Sequence, residues 1–201
     1  MRMFTVLTAF SLCCCLLIIL CWIPGCRSNT QLEELSVERL NIVEKDGTLR
    51  LALFNQEQMP LPVLNGKTYP RRIRGAGMIL YNPAGDERGG MVLYQRDSLE
   101  MSGMVWDYRN SEGIAMGRYE KGMHQYGTYL SLTDRVGLDQ DIEKVGSVGP
   151  PRINLGATES LTEIQLFDSH GKARISLGID STDQPYLHFL DTTGSIVQSF
   201  N

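Results

Sequence analysis

Residues 164–179, IQLFDSHGKARISLGI, contain the clearest structural pattern of the chain. Apolar and polar residues alternate on both sides of Asp168-Ser169-His170-Gly171, and a period of two is typical of half-buried strands. Aspartate at the first position of a type I turn accepts hydrogen bonds from the turn backbone, and glycine at the fourth position adopts the left-handed conformation that starts a returning strand. This stretch therefore predicts a β-hairpin.

The same spacing, an acidic or amide residue three positions before a glycine, recurs between strand-like stretches. It occurs six times, at Glu44–Gly47, Asn82–Gly85, Asn110–Gly113, Asp134–Gly137, Asp168–Gly171 and Asp191–Gly194. The chain is therefore predicted to be mainly β, built from antiparallel β-hairpin repeats. About twelve short strands exceed the usual size of an open sheet, so we expect them to close into a barrel or to fold into a sandwich.

The N-terminal segment differs from the rest in composition. Residues 4–23 are uncharged, and twenty residues in a helix span about 30 Å, the thickness of a bilayer core. The apolar part of a cleavable signal peptide is shorter, about 7–15 residues. Residues 1–27 are therefore predicted to form an uncleaved transmembrane helix, with the lipid bilayer as its partner. Since Arg2 and the amino terminus are positive, we expect a single-pass protein with a cytoplasmic N-terminus and an outer β-domain.

A lipoprotein-type signal is the alternative for this segment. Ile23-Pro24-Gly25-Cys26 resembles a lipobox, in which Cys26 is the residue that receives the lipid. Cleavage and release without a lipid is a third possibility.

Residues 28–35 are predicted to form a polar stalk, and residues 36–201 the β-hairpin-repeat domain. A proline-containing insertion, residues 55–75, interrupts the strand pattern and is expected to cover one end of the sheet. All five cysteines precede the domain, at positions 13, 14, 15, 21 and 26, so the domain has neither an internal disulfide nor a thiolate site.

Charge and motif content exclude several functions. The chain has 19 Lys and Arg against 23 Asp and Glu, a net charge of −4, and an acidic surface repels a phosphate backbone, so we expect no nucleic-acid partner. The three histidines do not have the spacing of a zinc site. Neither a nucleophile elbow nor a phosphate-binding glycine loop is present. We therefore expect no cofactor, no metal and no catalytic residues.

One cluster has the composition of a binding surface. Five aromatic residues fall within 24 positions, and four of them are candidate ligand-binding residues: Trp106, Tyr108, Tyr126 and Tyr129. Exposed aromatic rings beside polar groups are typical of sugar- or peptide-binding surfaces. The alternative is structural, because tyrosine and tryptophan are also favoured in strands.

Part of the chain resembles a group of bacterial proteins. The segment ERLNIVEKDGTLR at 38–50, the segment 76–82 and the closing hairpin around Asp191 are similar to uncharacterised proteins with one N-terminal membrane segment and a β-rich outer domain. The resemblance covers residues 36–95 and 164–200. It implies a membrane-anchored bacterial β-protein and transfers no site.

These features together favour a non-enzymatic, membrane-anchored domain with an interaction or structural role at the cell envelope, where its partner is another envelope protein. A module that binds a saccharide or small ligand through the aromatic cluster is the alternative. A hydrolase that uses scattered carboxylates is a third hypothesis.

Overall fold

The structure is a computed structural model that describes residues 32–71, 73–137 and 149–200. All strands lie in one compact unit, Val37–Asn201. None of the helices that a bilayer span would require is found among the described residues. The predicted anchor and Cys26 lie outside them.

Fourteen strands make up the described part of the chain. They are β1 (Arg39–Val43), β2 (Leu49–Phe54), β3 (Val63–Leu64), β4 (Lys67–Thr68), β5 (Ala76–Tyr81), β6 (Glu87–Arg96), β7 (Leu99–Asp107), β8 (Glu112–Lys121), β9 (Gln125–Thr133), β10 (Pro151–Thr158), β11 (Thr162–Phe167), β12 (Ala173–Ile179), β13 (Pro185–Leu190) and β14 (Ile196–Phe200). The mainly β prediction is confirmed.

Twelve strands form one antiparallel sheet in chain order, and β3 and β4 form a separate small hairpin inside the insertion. Each strand pairs with its neighbours in sequence, as expected for strands joined by short turns. Within the described residues β1 pairs only with β2, and β14 only with β13, so these two strands are the edges of an open sheet.

Four of the six predicted turns have the expected geometry. In Glu44–Gly47, Asn82–Gly85, Asp168–Gly171 and Asp191–Gly194 the glycine N–H donates to the carbonyl of the first residue at 2.9–3.2 Å. The four glycines have φ between 74° and 90°. The acidic side chain also acts as predicted: Asp168 Oδ1 accepts hydrogen bonds from the backbone N–H groups of His170 at 2.9 Å and Lys172 at 3.0 Å.

The other two turns differ from the prediction. The loop between β7 and β8 is residues 108–111, and Gly113 lies inside β8 without a positive φ. Asp134–Gly137 is not a hairpin turn: the Asp134 N–H donates to the Pro150 carbonyl at 2.8 Å, and the later strand that pairs with β9 begins at Pro151.

A further turn of the same kind has no glycine, so the sequence pattern did not predict it. At Asp180–Asp183 the N–H of Asp183 donates to the Asp180 carbonyl at 3.0 Å, and Asp183 has a φ of 60°. Aspartate is among the few residues that tolerate this conformation, so the same turn forms without glycine.

The insertion packs on one face of the sheet, over its first strands. Met59 from the insertion contacts a buried cluster on β2 and β5: Ala52, Phe54, Ile79 and Tyr81. Arg71 fixes the far end of the insertion by donating to the Pro60 carbonyl at 3.0 Å and to both carboxylate oxygens of Glu87. This packing is the main buried core of the described residues.

Candidate functional site

The first candidate surface is the face of the sheet opposite the insertion, which we call the apolar face. Residues paired across antiparallel strands share a face, so the pairings trace rows across the sheet. One row contains a large apolar residue from every strand of the twelve-stranded sheet: Leu40, Leu53, Met78, Met91, Met104, Met116, Leu130, Leu155, Ile164, Leu177, Leu187 and Phe200.

A second row on the apolar face lies two residues further along each strand. It contains Ile42, Leu51, Leu80, Gly89, Trp106, Ile114, Leu132, Ile153, Leu166, Ile175, Phe189 and Gln198. Several side chains in both rows are exposed, for example Met116 at 47%, Leu177 at 49% and Trp106 at 45%, and most of the others are half-buried. Soluble monomers rarely expose apolar patches larger than a few hundred Å², so this face has the properties of an interaction surface.

The other face, which we call the insertion face, is polar from β8 onward. Ser131 Oγ donates to Asn154 Oδ1 at 2.8 Å, and Tyr186 Oη donates to Glu163 Oε1 at 2.8 Å. From β8 onward one face of the sheet is therefore apolar and the other is polar, as are the inner and outer faces of one layer of a β-sandwich.

Tyrosines on the insertion face lie opposite glycines. The cross-strand pairs are Gly117 with Tyr129, Gly127 with Tyr119 and Gly178 with Tyr186. A Cβ at position 127 would lie 2.8 Å from the Tyr119 ring. Covering a strand glycine with a neighbouring aromatic ring stabilises the sheet at that point, so these tyrosines have a structural role.

The second candidate surface is a cleft of about 570 Å³ between the insertion and the insertion face of β5–β9. Pockets of about 300–1,000 Å³ accommodate small organic ligands. The insertion contributes Leu64 and Ile73 to the walls, and the sheet contributes Val105. Gly90 and Gly103 leave space on the sheet side because they carry no side chain.

Charged groups gather at one part of this cleft, where Asp107, Glu87, Glu112 and Arg71 line it. Arg71 Nη2 lies 2.7 Å from Glu87 Oε2, and both side chains are largely buried. Glu112 is the cross-strand partner of Asp107. Burial, together with the negative charges of Glu87 and Glu112, raises the pKa of Asp107 from 3.8 to about 7.

Asn110 contributes an unsatisfied acceptor to the cleft. The residue is only 2% exposed, and its Nδ2 donates to the Gly137 carbonyl at 2.8 Å. Its Oδ1 has no hydrogen-bond partner among the described residues. Buried side-chain oxygens are normally satisfied, so this acceptor is an exception among the residues that line the cleft.

The four aromatic residues singled out by the sequence do not share one surface. Tyr108 and Tyr129 line the cleft. Trp106 belongs to the second row of the apolar face, and Tyr126 lies on the same face, as the partner of Glu120. Ligand binding by these residues stays a prediction, now divided between two surfaces.

Sequence reasoning missed the charged groups of the cleft. Asp107 follows directly on the apolar run Met104-Val105-Trp106, and a carboxylate at the end of such a strand was the available signal. Arg71 and Glu87 were not recognisable as partners, because they meet only when the insertion folds over the sheet.

Within residues 32–71, 73–137 and 149–200 no group of three or more His, Cys, Asp or Glu side chains is placed to hold a metal ion. No protein-family model, curated protein or solved structure matches this chain.

Proposed function

We propose that this protein is a membrane-anchored interaction domain without enzymatic activity, whose apolar face binds a second copy of the chain. The observation that carries the proposal is the row of twelve large apolar residues, one from each strand of an open sheet. The resemblance to bacterial proteins with a membrane segment and the apolar composition of residues 4–23 support a position at the cell envelope.

The size of the apolar face matches that of a stable interface. Eleven strand spacings of about 4.8 Å give a width of roughly 53 Å, and two rows add a height of about 14 Å. The flat area is then about 700 Å², close to the roughly 800 Å² that each partner buries in a standard protein interface. Covering the face therefore removes enough apolar surface from water to stabilise a dimer.

A second copy fits the apolar face better than the chain's own N-terminal segment. A twenty-residue helix is about 30 Å long and 10 Å wide, so it covers about 300 Å², less than half of the two rows. A second sheet has the same width and the same twist as the first. Two such sheets pack face to face about 10 Å apart with interdigitating side chains.

The edge of the apolar face has the polar character of an interface rim. On the same face, at the far end of β7 and β8, Arg118 forms ion pairs with Glu100 and with Glu120. An apolar centre with a charged rim is the usual anatomy of a protein–protein contact. In this proposal the sandwich expected from the sequence forms between two chains, each of which supplies one layer.

The test compares two methionine-to-lysine substitutions in a fragment of residues 30–201, measured by sedimentation equilibrium without detergent. Met116 lies in the middle of the first row and is 47% exposed, whereas Met123 lies at the tip of the β8–β9 hairpin and is 89% exposed. An unpaired charge buried in an interface costs about 3 kcal/mol or more, so Met116→Lys should raise the dimer dissociation constant about 100-fold. Met123→Lys should leave it unchanged.

A wild-type fragment that stays monomeric at every soluble concentration would contradict the proposal. Equal weakening by both substitutions would show that added charge, not the apolar face, controls association. If the monomeric fragment instead binds neutral phosphatidylcholine vesicles and Met116→Lys abolishes that binding, the face contacts lipid and the dimer is wrong.

A further inference from the structure

We infer that the cleft between the insertion and the sheet binds a small organic cation with an apolar body, of the class of aromatic amines. This site lies on the face of the sheet opposite the proposed dimer contact. Its occupancy is therefore independent of whether two chains associate.

The charges around the cleft favour a cation. Three carboxylates line it, those of Asp107, Glu87 and Glu112. Arg71 is paired with Glu87, and the nearby Arg88 is paired with Asp86 at 3.2 Å. Among the described residues Asp107 forms no ion pair with a lysine or arginine, so the charge that a deprotonated Asp107 brings to the cleft is not balanced by a direct partner.

The unsatisfied oxygen of Asn110 is an independent observation that points to a ligand with N–H groups. Asn110 is almost completely buried, and its Oδ1 is an acceptor without a partner in the described part of the chain. An ammonium group has donors for Asn110 and for Asp107 at the same time. A carboxylate or phosphate ligand offers the Asn110 oxygen only acceptors and repels the acidic side chains.

The rest of the cleft accommodates an apolar body. Its volume of about 570 Å³ suits a molecule with one aromatic ring, and Leu64, Ile73 and Val105 provide apolar contacts. Tyr94 and Tyr129 also line the cleft. Tyrosine rings attract cations through the negative potential of their faces, which adds to the selection for an ammonium group.

Binding of a cation to this cleft is expected to depend on pH. Glu87 and Glu112 favour the protonated form of Asp107, whereas Arg88 and Arg71 favour the carboxylate, and the balance together with burial places the pKa of Asp107 at about 7. A cation binds the deprotonated form better. Affinity for an amine should therefore rise between pH 6 and pH 8, over which the amine itself stays protonated.

The test uses the full-length chain in detergent micelles and isothermal titration calorimetry, with titrations into empty micelles subtracted. The probes are 2-phenylethylamine, the neutral isostere 2-phenylethanol and the anion phenylacetate. We expect the amine to bind at least tenfold more tightly than the alcohol, because a hydrogen bond to a charged group is worth about 1.5–3 kcal/mol. Phenylacetate should give no binding heat.

Two substitutions locate the site. Asp107→Asn keeps the size of the side chain and removes its charge, and should weaken amine binding by about tenfold or more. Asp97→Asn is the matched control: Asp97 lies in the β6–β7 turn with 89% of its side chain exposed, and the change should leave amine binding unaltered.

The inference fails if the wild-type protein binds none of the three probes, or binds the alcohol or the anion as tightly as the amine. It also fails if Asp107→Asn and Asp97→Asn have equal effects. Should Asp107→Asn not fold, the probe comparison on the wild-type chain still decides, since a cleft that binds the amine no more tightly than the alcohol places no negative group against the ligand.

Discussion

Alanine substitutions at two turn glycines separate backbone strain from side-chain contact. Gly194 has a φ of 88°, and a Cβ built on it meets nothing within 4 Å. Gly171 has a similar φ of 74°, but its Cβ would lie 3.0 Å from Pro151 Cδ and 3.4 Å from Pro150 Cβ. Substitution by alanine therefore introduces only backbone strain at position 194, whereas at position 171 it introduces backbone strain and steric crowding against the prolines.

The two costs follow from this geometry. A residue with a Cβ in the left-handed conformation is destabilised by roughly 1–2 kcal/mol relative to glycine. Gly194→Ala should cost that amount. At Gly171 the neighbours are proline rings that cannot rotate away, and overpacking of this kind adds about 1 kcal/mol or more. Asparagine tolerates the conformation, so Gly194→Asn should cost less than Gly194→Ala.

The measurement is the thermal midpoint of the 30–201 fragment and its three variants, followed by far-ultraviolet circular dichroism at one protein concentration. For a domain of this size 1 kcal/mol shifts the midpoint by about 2–4 °C. Gly194→Ala should lower it by about 2–8 °C, and Gly171→Ala by several degrees more. A constant concentration matters because association changes apparent stability.

Two outcomes would contradict the geometry of these turns. If Gly194→Ala leaves the midpoint unchanged, position 194 is not held in the left-handed conformation and the hairpin turn is wrong. If Gly171→Ala and Gly194→Ala cost the same, the prolines next to position 171 do not restrict it, and the packing of the β11–β12 turn against the start of β10 is wrong.

Three further predictions follow from two pKa effects and from the N-terminal segment. Hydrogen bonds from the turn hold the pKa values of Asp168, Asp180 and Asp191 below the usual range, so their contribution to stability is present at neutral pH and is lost as pH falls through those values. Because the pKa of Asp107 is raised to about 7, ionisation of this side chain lowers the stability of the wild type as pH rises. The stability of Asp107→Asn relative to the wild type should therefore increase from pH 5 to pH 8 in thermal scans. Full-length protein should resist carbonate extraction from membranes, and a Cys26→Ala variant should stay there with unchanged gel mobility; release of that variant would show that a lipid holds the protein.

The hairpin pattern was readable from the sequence because it is local. A carboxylate or amide side chain satisfies the backbone of its own turn, and glycine accepts the left-handed conformation, within four residues. For this reason Asp168–Gly171 and Asp191–Gly194 were predicted correctly. Asp134–Gly137 has the same spacing of aspartate and glycine, but the strand that pairs with β9 begins only at Pro151, and no local rule distinguishes it.

The division of the aromatic cluster depended on alternation along one strand and on pairing between strands. Tyr126 and Tyr129 lie three residues apart on β9, so alternation alone places them on opposite faces. Strand register decides which of them shares a face with Trp106, because Trp106 pairs with Ile114 and Ile114 pairs with Leu132. Proximity in sequence therefore did not predict a shared site.

The succession of antiparallel strands with alternating apolar residues follows from local sequence patterns, because alternation and turn chemistry act over a few positions. The alignment of the apolar residues of twelve strands in continuous rows on an open sheet depends on tertiary contacts. So does the packing of the insertion over the other face, which brings Arg71 to Glu87 beside Asp107. Both outcomes depend on contacts between residues far apart in the chain, which no short pattern encodes.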